Sequence, residues 1–289
     1  MNVEQYKTLV DKSLEEYFKL ENDSPNKGLA DSMRYSLLAG GKRIRPLLVL
    51  EFCRICGEDI NQALPVACAV EMLHTYSLIH DDLPCMDNDE LRRGRPTNHV
   101  VYGECTATLA GDAMQAEAFG TILRSELPVD RKAACATILA DAVGLDGMCG
   151  GQFMDMSWEG RKLSEQELTD INSRKTGALL VAACQMGVAA AGGGELKLAA
   201  AAQYGAALGM AFQIRDDMLD VLSTNDELGK PVGSDAQENK NTYMALLGED
   251  ACRKMVVELT DFAKNILDEV FEDTDFLKNL ADQLAKRKN

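Results

Sequence analysis

The chain has few aromatic residues, few prolines and few histidines, and these shortages limit the fold and the kinds of site. Among its 289 residues, 6% are aromatic, 7 are prolines and 3 are histidines, while 46% are hydrophobic. This composition favours helices over sheets and suffices for one large core or at most two domains. No linker is long and polar enough to separate domains, so we predict a single all-α domain over residues 1–289.

Long apolar runs are also missing. No stretch of eighteen apolar residues occurs, whereas a membrane-spanning helix needs about 20. Residues 176–194 come closest, but they contain Gln185 and many alanines and glycines, which predicts a buried core helix. The first stretch places Tyr6, Val10 and Leu14 at helical spacing and does not resemble a signal peptide. We therefore expect a cytoplasmic protein with no membrane span.

Basic charge is scarce, and recognised nucleotide motifs are absent. The chain has 30 Lys and Arg against 46 Asp and Glu, a net charge of −16, which disfavours a nucleic-acid partner. It lacks a Walker loop, a Gly-x-Gly-x-x-Gly fingerprint and a Gly-x-Ser-x-Gly elbow. Its nine cysteines are scattered through apolar stretches, which favours buried, reduced thiols over a disulfide framework. Cys53 and Cys56 form a lone Cys-x-x-Cys, so no zinc site is predicted.

What the chain does have is a pair of aspartate clusters about half a chain apart, each at the end of an apolar run. They are Asp81-Asp82-Leu-Pro-Cys-Met-Asp87 and Asp216-Asp217-Met-Leu-Asp220. Carboxylates repel one another, and they are disfavoured at the negative C-terminal end of a helix. Both clusters are unfavourable in these two ways, and such local conflicts are expected at functional sites. Oxygen ligands with few His or Cys nearby suit Mg²⁺, which binds through carboxylates and substrate phosphates. The clusters therefore predict a site where Mg²⁺ joins the protein to a phosphorylated substrate.

The spacing within each cluster indicates which acids can act together. The first and last aspartates of the second cluster lie one turn apart on one helical face, whereas the middle one points elsewhere. In the first cluster, Asp81 and Asp87 are six residues apart and do not align on a regular helix. Pro84 indicates a break that can swing Asp87 back towards Asp81.

Basic segments stand on both sides of the first cluster. Residues 40–46, GGKRIRP, place three positive charges beside a glycine turn with Pro46 near a helix start. Backbone N–H groups, Lys and Arg at such a turn can hold a diphosphate. Residues 91–96, LRRGRP, offer planar guanidinium groups to phosphate oxygens. His74 lies two helical turns before Asp81 on roughly the same face, so its imidazole can donate to a phosphate oxygen.

Together these motifs resemble the trans-isoprenyl diphosphate synthases, and within that family the bacterial farnesyl diphosphate (geranyltranstransferase) type. The resemblance runs in order from about Gly28 to Leu247. It includes GGKRIRP, HTYSLIHDDLPCMDNDELRRGRPTNH, LAGDAMQ, GMCGGQFMDM, KTGALL, FQIRDDMLDV and LGKPVGSD. It implies an isoprenoid synthase-type helical bundle around a central cavity, several Mg²⁺ ions between the two aspartate motifs, and a homodimer. The implied reaction joins isopentenyl diphosphate head to tail to dimethylallyl or geranyl diphosphate.

The resemblance also implies roles for single residues. It implies that Asp81, Asp87 and Asp216 bind the metal. Asp82, Asp217 and Asp220 would support them. The residues implied to bind isopentenyl diphosphate are Lys42, Arg45, His74 and Arg93. The residues implied to contact the allylic diphosphate are Arg92, Lys175 and Lys230. Lys240 is a further residue implied to bind substrate. The polar groups close to the developing carbocation are Thr176 and Gln213. Two positions depart from the family pattern, Arg174 where His is common and Met244 where Pro is common, which weakens the assignments of Lys175 and Lys240.

Tyr76 bears on the length of the product. It lies five residues before Asp81 on the same predicted helix, hence ~7.5 Å deeper at 1.5 Å per residue. The position suits a generic core tyrosine, and it also suits a bulky floor that stops the growing prenyl chain, with Ser77 beside it. In the family such a floor accompanies a fifteen-carbon product, so we predict farnesyl diphosphate.

Three alternatives share part of the pattern. A class I terpene cyclase has a first aspartate motif, but its second motif mixes Asn, Ser or Thr, and Glu, and it needs no second diphosphate site. A geranylgeranyl diphosphate synthase also carries PCMDND and PTNH, and only Tyr76 argues against it. A catalytically silent partner subunit would tolerate loss of the acids, all of which are present here.

Overall fold

The computed structural model describes residues 1–222 and 241–287, and these residues are almost entirely helical. Fourteen α-helices lie in the described ranges, which confirms the predicted all-α fold class. The chain divides into two compact units, residues 1–136 and 137–289, and the division falls within one helix. The single-domain organisation stays a prediction.

The first unit is organised around α4 (Ile60–Asp81), which packs against four other helices, α1, α2, α3 and α6. Its side chains are apolar on nearly every side, as expected of a helix buried on all faces. The remaining elements of the unit are α1 (Val3–Leu14), α2 (Lys27–Leu37), α3 (Ile44–Ile55), β1 (Leu91–Arg92), β2 (Arg95–Pro96), α5 (Asn98–Tyr102), α6 (Glu104–Arg124) and the first part of α7 (Val129–Val143).

The second unit is organised around α11 (Glu195–Leu222), which packs against α10, α12, α13, α14 and a π-helical turn. Gly205 allows α10 to approach closely, because a Cβ there would lie 2.8 Å from the Cα of Val181. The remaining elements are α8 (Met148–Ser157), α9 (Glu165–Asn172), the π-helical turn (Ser173–Gly177), α10 (Ala178–Ala190), α12 (Tyr243–Leu247), α13 (Glu249–Val270) and α14 (Asp275–Lys286).

Between α4 and α5 lie the two short strands β1 and β2, in a chain whose composition favours helices. Residues 91–96 form a minimal antiparallel hairpin in which Arg92 pairs with Arg95. The two residues between them, Arg93 and Gly94, have φ angles of 53° and 74°. Positive φ at both central positions is the pattern of the type I′ turn, whose twist suits a two-residue hairpin. The hairpin fixes the direction of the adjacent arginines Arg92 and Arg93.

The apolar helices include one candidate for a membrane span in the described part of the chain. In the described part of the chain, one stretch, Val129–Ser157, is long and apolar enough to cross a membrane by length and composition alone. The helix breaks at residues 144–147 into α7 and α8, of 15 and 10 residues, while a span needs about 20. Residues 176–194 come closest in sequence to a long apolar run. They contain the largely buried helix α10, which confirms the prediction of a core helix.

The prediction of buried thiols holds for only some of the cysteines, because Cys85, Cys105 and Cys149 are exposed. All nine are free thiols, and five of them are buried. Burial raises the pKa of Cys135 to about 12, which leaves this thiol unreactive at neutral pH.

Candidate active site

The first aspartate motif begins at the last residue of α4. The chain turns back immediately after Asp81, and the backbone N–H of Asp87 donates to the carbonyl oxygen of Asp81 at 2.9 Å. The break expected at Pro84 is confirmed, and it brings Asp87 next to Asp81 as predicted. Cys85 lies in the returning segment with its side chain exposed.

Asp82 is buried beneath this turn and is held by the hairpin. Both Nε and one Nη of Arg92 lie 2.7 Å from the same carboxylate oxygen of Asp82. Burial raises the pKa of Asp82 above its ordinary value, although the hydrogen bond and charge of Arg92 oppose this. Arg92 is thus tied to the first motif, and Asp82 acts on the site by orienting that guanidinium.

A second group of cations gathers around His74. Burial lowers the pKa of His74 well below its ordinary value, and the charges of four arginines lower it further. Those arginines are Arg45, Arg93, Arg92 and Arg43. The imidazole is therefore neutral at pH 7, and its surroundings favour an anion. Within the described part of the chain, Nε of Arg45 is buried without a hydrogen-bond partner, and burial lowers the pKa of this guanidinium to about 10.

The glycine turn and the hairpin meet at Arg93. One Nη of Arg93 donates to the carbonyl oxygen of Gly40. Gly41 has a φ of 143°, and a Cβ there would lie 2.8 Å from that same nitrogen. Residue 41 must therefore lack a side chain for Arg93 to reach the turn. Lys42, which follows it, is exposed.

The charges of the GGKRIRP segment are not equivalent. Arg43 is buried, with Nη1 2.6 Å from Glu71 and Nε 2.8 Å from Asp11. A third bond goes from Arg43 to the carbonyl oxygen of Leu37 at 2.9 Å. Arg43 therefore anchors α3 to α1 and α4, and it leaves Lys42 and Arg45 as the cations of the segment that can bind a substrate.

The second aspartate motif lies in the last two turns of α11. Asp216 forms an ion pair of 2.5 Å with Arg287, the C-cap residue that follows α14. The guanidinium of Arg287 also lies 3.8 Å from the centre of the Phe212 ring and donates to the Phe212 carbonyl oxygen. Arg287 was not predicted as a site residue, although it belongs to the basic cluster of residues 286–288 that follows an acidic region.

The other two acids of the motif are buried. Asp217 accepts hydrogen bonds from the backbone N–H of Tyr243 at 2.7 Å and from the amide of Gln213 at 3.1 Å. Asp217 thus points away from the partly exposed Asp216, as predicted, and it fixes Gln213. Asp220 is 2% exposed.

The π-helical turn carries Lys175 and Thr176. Nζ of Lys175 lies 2.6 Å from a carboxylate oxygen of Asp155 on α8. The Thr176 hydroxyl lies 3.4 Å from the side-chain oxygen of Gln213. A Cβ at Gly151 would lie 2.8 Å from the Cα of Lys175, so α8 approaches the turn closely. Asp155 belongs to the quoted GMCGGQFMDM segment, but no role was predicted for it.

Tyr76 and Ser77 lie on α4 before the first motif. Tyr76 is 6% exposed, and its ring meets the His80 ring nearly at right angles, with centroids 5.6 Å apart. The Ser77 hydroxyl donates to the carbonyl oxygen of His74 at 2.9 Å. Two other predicted site residues, Lys230 and Lys240, lie outside the described residues.

The donors of the two motifs fit a hard cation. Within residues 1–222 and 241–287, no group of three or more His, Cys, Asp or Glu side chains is close enough to hold a metal alone. The first motif instead brings the backbones of Asp81 and Asp87 together, and the Asp216 carboxylate pairs with the guanidinium of Arg287. Mg²⁺ is typically bound by one or two carboxylates and completes its shell with substrate phosphates and water, which these sets allow.

Comparison with known proteins identifies the family. Residues 26–284 match the family Polyprenyl synthetase, so the chain belongs to the polyprenyl synthetase family. It is 47% identical over 254 residues to a farnesyl diphosphate synthase of Geobacillus stearothermophilus, covering 86% of this chain and 85% of that one. It is equally 47% identical over 237 residues to a geranylgeranyl diphosphate synthase of Cyanophora paradoxa, covering 81% and 79%.

A solved structure agrees. The FPP/GFPP synthase of Zymomonas mobilis superimposes with a TM-score of 0.86 at 34% identity, covering 96% of this chain and 95% of that chain. The chain is accordingly a prenyltransferase of the trans-prenyl synthase type.

Proposed function

We propose that the chain is a Mg²⁺-dependent farnesyl diphosphate synthase that condenses isopentenyl diphosphate with dimethylallyl and then geranyl diphosphate. The observation that carries the product length is Tyr76, a buried ring five residues before Asp81 on the helix that carries the first motif. The likeness to the Geobacillus enzyme supports the same product. The likeness to the Cyanophora enzyme keeps a geranylgeranyl diphosphate synthase as the second candidate.

Isopentenyl diphosphate would bind the cations around His74. Arg93 is already directed by the glycine turn, and Arg45 has a buried Nε with no hydrogen-bond partner among the described residues. A diphosphate oxygen supplies the acceptor that Arg45 lacks, and neutral His74 donates one more hydrogen bond. Exposed Lys42 adds charge at the mouth of this site.

The allylic diphosphate would bind Arg92 and Lys175. Both cations are already held by carboxylates, Arg92 by Asp82 and Lys175 by Asp155, so little ordering is needed when the substrate arrives. Mg²⁺ held by Asp81, Asp87 and Asp216 would neutralise charge that develops on the leaving diphosphate. Arg92 in the first unit and Lys175 in the second are each oriented by their own carboxylate partner, and by the family resemblance each would donate to that diphosphate.

The remaining chemistry takes place on the hydrocarbon chains. Loss of diphosphate leaves an allylic cation, and the oxygen atoms of Thr176 and Gln213 stabilise it. The double bond of isopentenyl diphosphate attacks this cation, forming the new carbon–carbon bond. The resulting cation loses a proton to the departed diphosphate, so we assign no protein base.

Product analysis by mass spectrometry tests the proposal. Purified chain receives isopentenyl diphosphate with dimethylallyl or geranyl diphosphate, with Mg²⁺ and after removal of Mg²⁺ by chelation. Mainly fifteen-carbon diphosphate, formed only with metal, is expected. A twenty-carbon main product would favour the second candidate, and no turnover with any pairing would favour a silent partner subunit.

Tyr76→Ala is the decisive variant for product length. Removing the ring opens the space beneath the growing chain, so twenty-carbon diphosphate should rise about tenfold relative to fifteen-carbon, a change of about 1.4 kcal/mol between competing barriers. Tyr6→Phe is a control, since it alters a buried tyrosine bonded to Glu51 on α3, away from the motifs. An unchanged product profile for Tyr76→Ala would reject Tyr76 as the floor.

We further propose that the chain acts in the cytoplasm as a homodimer. Nine free thiols suit a reducing compartment. Light scattering of the purified chain measures the assembly directly, and a monomeric mass would refute the dimer.

A further inference from the structure

His80 lies between the proposed floor and the first aspartate motif, and the mechanism above does not use it. It follows Tyr76 by four residues on α4, which places both rings on one helical face. Their centroids are 5.6 Å apart and their planes meet at 87°. This is an edge-to-face pair, in which the imidazole restricts the orientations open to the phenol ring.

His80 is in turn held by α6. Its Nε2 atom lies 3.0 Å from the backbone oxygen of Thr108. A carbonyl oxygen can only accept, so Nε2 carries the hydrogen in this contact. A carboxylate oxygen of Asp112, one turn further along α6, lies 3.9 Å from the same nitrogen. The imidazole is thus held through Nε2 by α6, and its ring contacts the ring of Tyr76.

Gly111 provides the space for the imidazole. A Cβ at residue 111 would lie within 2.9 Å of three atoms of the His80 ring. Gly111 is inside α6 and does not have a positive φ, so an alanine would suit its backbone and would favour the helix. What alanine would disturb is the imidazole.

We propose that His80 is a positioning residue for product length: supported by Thr108 and Gly111, it holds the Tyr76 ring across the path of the growing prenyl chain. The inference rests on the proposed function, in which Tyr76 is the floor. Without the support of His80, the phenol ring can turn to another rotamer and open the space beneath. Product length would then change while the floor residue itself is retained.

Four variants test this. Gly111→Ala displaces the imidazole and keeps both rings, and His80→Ala removes the support. His80→Phe restores a ring that can meet Tyr76 edge to face. Gly28→Ala is the matched control, since Gly28 is also a helical glycine and nothing lies within 4 Å of a Cβ there. The readouts are the ratio of twenty- to fifteen-carbon diphosphate at equal conversion and the melting temperature.

We expect the ratio to rise about tenfold in Gly111→Ala and His80→Ala, which is about 1.4 kcal/mol between the competing barriers. The ratio should stay at the wild-type value in Gly28→Ala and return close to it in His80→Phe. A merely structural role would lower turnover and melting temperature and leave the ratio unchanged, which would overturn the inference. A His80→Phe ratio as high as that of His80→Ala would also overturn it.

Two further results separate this inference from the proposed function. A crystal structure of Gly111→Ala with Tyr76 in its original rotamer would refute the positioning role without reference to activity. If Tyr76→Ala lengthens the product while the His80 and Gly111 variants do not, the inference alone fails. If Tyr76→Ala leaves the product profile unchanged, Tyr76 is not the floor, and the inference about His80 is wrong as well. A fifteen-carbon product from the wild-type chain would still support the farnesyl assignment.

Discussion

At the scale of single residues, His74 is defined by its surroundings. An isolated histidine with an ordinary pKa is partly protonated near pH 6.5. Here burial and four arginines keep the imidazole neutral. A neutral ring can donate to a diphosphate without adding a positive charge to the arginine cluster. Before the substrate binds, the arginines are therefore repelled less than they would be by a protonated histidine.

This neutrality makes stability depend on pH. Between pH 7.5 and 5.5 the unfolded chain protonates His74 around 6.5, whereas the folded chain does not, because its pKa is lower. The free energy of unfolding therefore falls as pH falls, by at most about 1.4 kcal/mol per pH unit below 6.5 for this one group. His74→Gln should lose less stability over this range in urea titrations at both pH values. An equal pH dependence in the two proteins would contradict the assignment.

The charged residues also show how far sequence reasoning reaches at this scale. The acids of both motifs and the cations around them could be singled out from the sequence as candidates, because charge at the end of an apolar run is conspicuous. Their pairing could not, since Arg92 with Asp82 and Lys175 with Asp155 join segments through the folded chain. Arg43 looked like another substrate cation and proved to be buried against Glu71.

At the scale of elements, the glycine turn at 40–41 and the hairpin at 91–96 together hold the guanidinium of Arg93. Gly41 combines a φ that favours glycine with a close approach of Arg93. Either element alone would leave the guanidinium free to move. Together they direct it before the substrate arrives.

Gly41→Ala should separate these two effects. Alanine strains the backbone by about 1–2 kcal/mol, and it also pushes Arg93 from the turn, so KM for isopentenyl diphosphate should rise about tenfold. Gly57→Ala is the matched control, because Gly57 has a φ of 92° with nothing near its Cβ position. Steady-state kinetics with unfolding curves compare the two. A similar rise in KM for both would mean that strain alone is responsible.

Element boundaries were predictable where turn residues cluster. The break predicted at Pro84 separates α4 from α5. The break at 144–147 was missed, because it falls inside an apolar run and only its glycines mark it. The hairpin was missed because two-residue strands are too short for alternation to be seen. Neither the hairpin nor the break at 144–147 changes the fold class.

At the scale of the whole molecule, excess negative charge dominates. A net charge of −16 makes the folded chain repel itself. Both aspartate motifs add to that repulsion, and Arg287 offsets part of it at the second motif. That contact joins residues far apart in the sequence, which is why composition and periodicity gave no hint of it. The family resemblance, by contrast, was readable because the motifs keep their order and spacing.

Cations should therefore stabilise the chain in two distinguishable ways. NaCl screens the repulsion generally, whereas MgCl₂ with inorganic diphosphate should raise the melting temperature further at the same ionic strength, because it binds. Asp81→Asn should abolish most of this excess. Asp23→Asn, at an exposed acid outside the motifs, should keep it. Equal effects of the two salts on the wild-type chain would argue against metal binding at the motifs.

The returning segment of the first motif has a practical consequence. Its exposed Cys85 stands between Asp82 and Asp87, so a fluorescent maleimide attached there would report on ligands arriving at the motif. Once the exposed Cys105 and Cys149 are replaced by serine, the five buried thiols are shielded from the reagent, leaving the half-buried Cys56 to be checked. The enzyme thus contains its own attachment point for an optical readout of substrate occupancy, with every acid left intact.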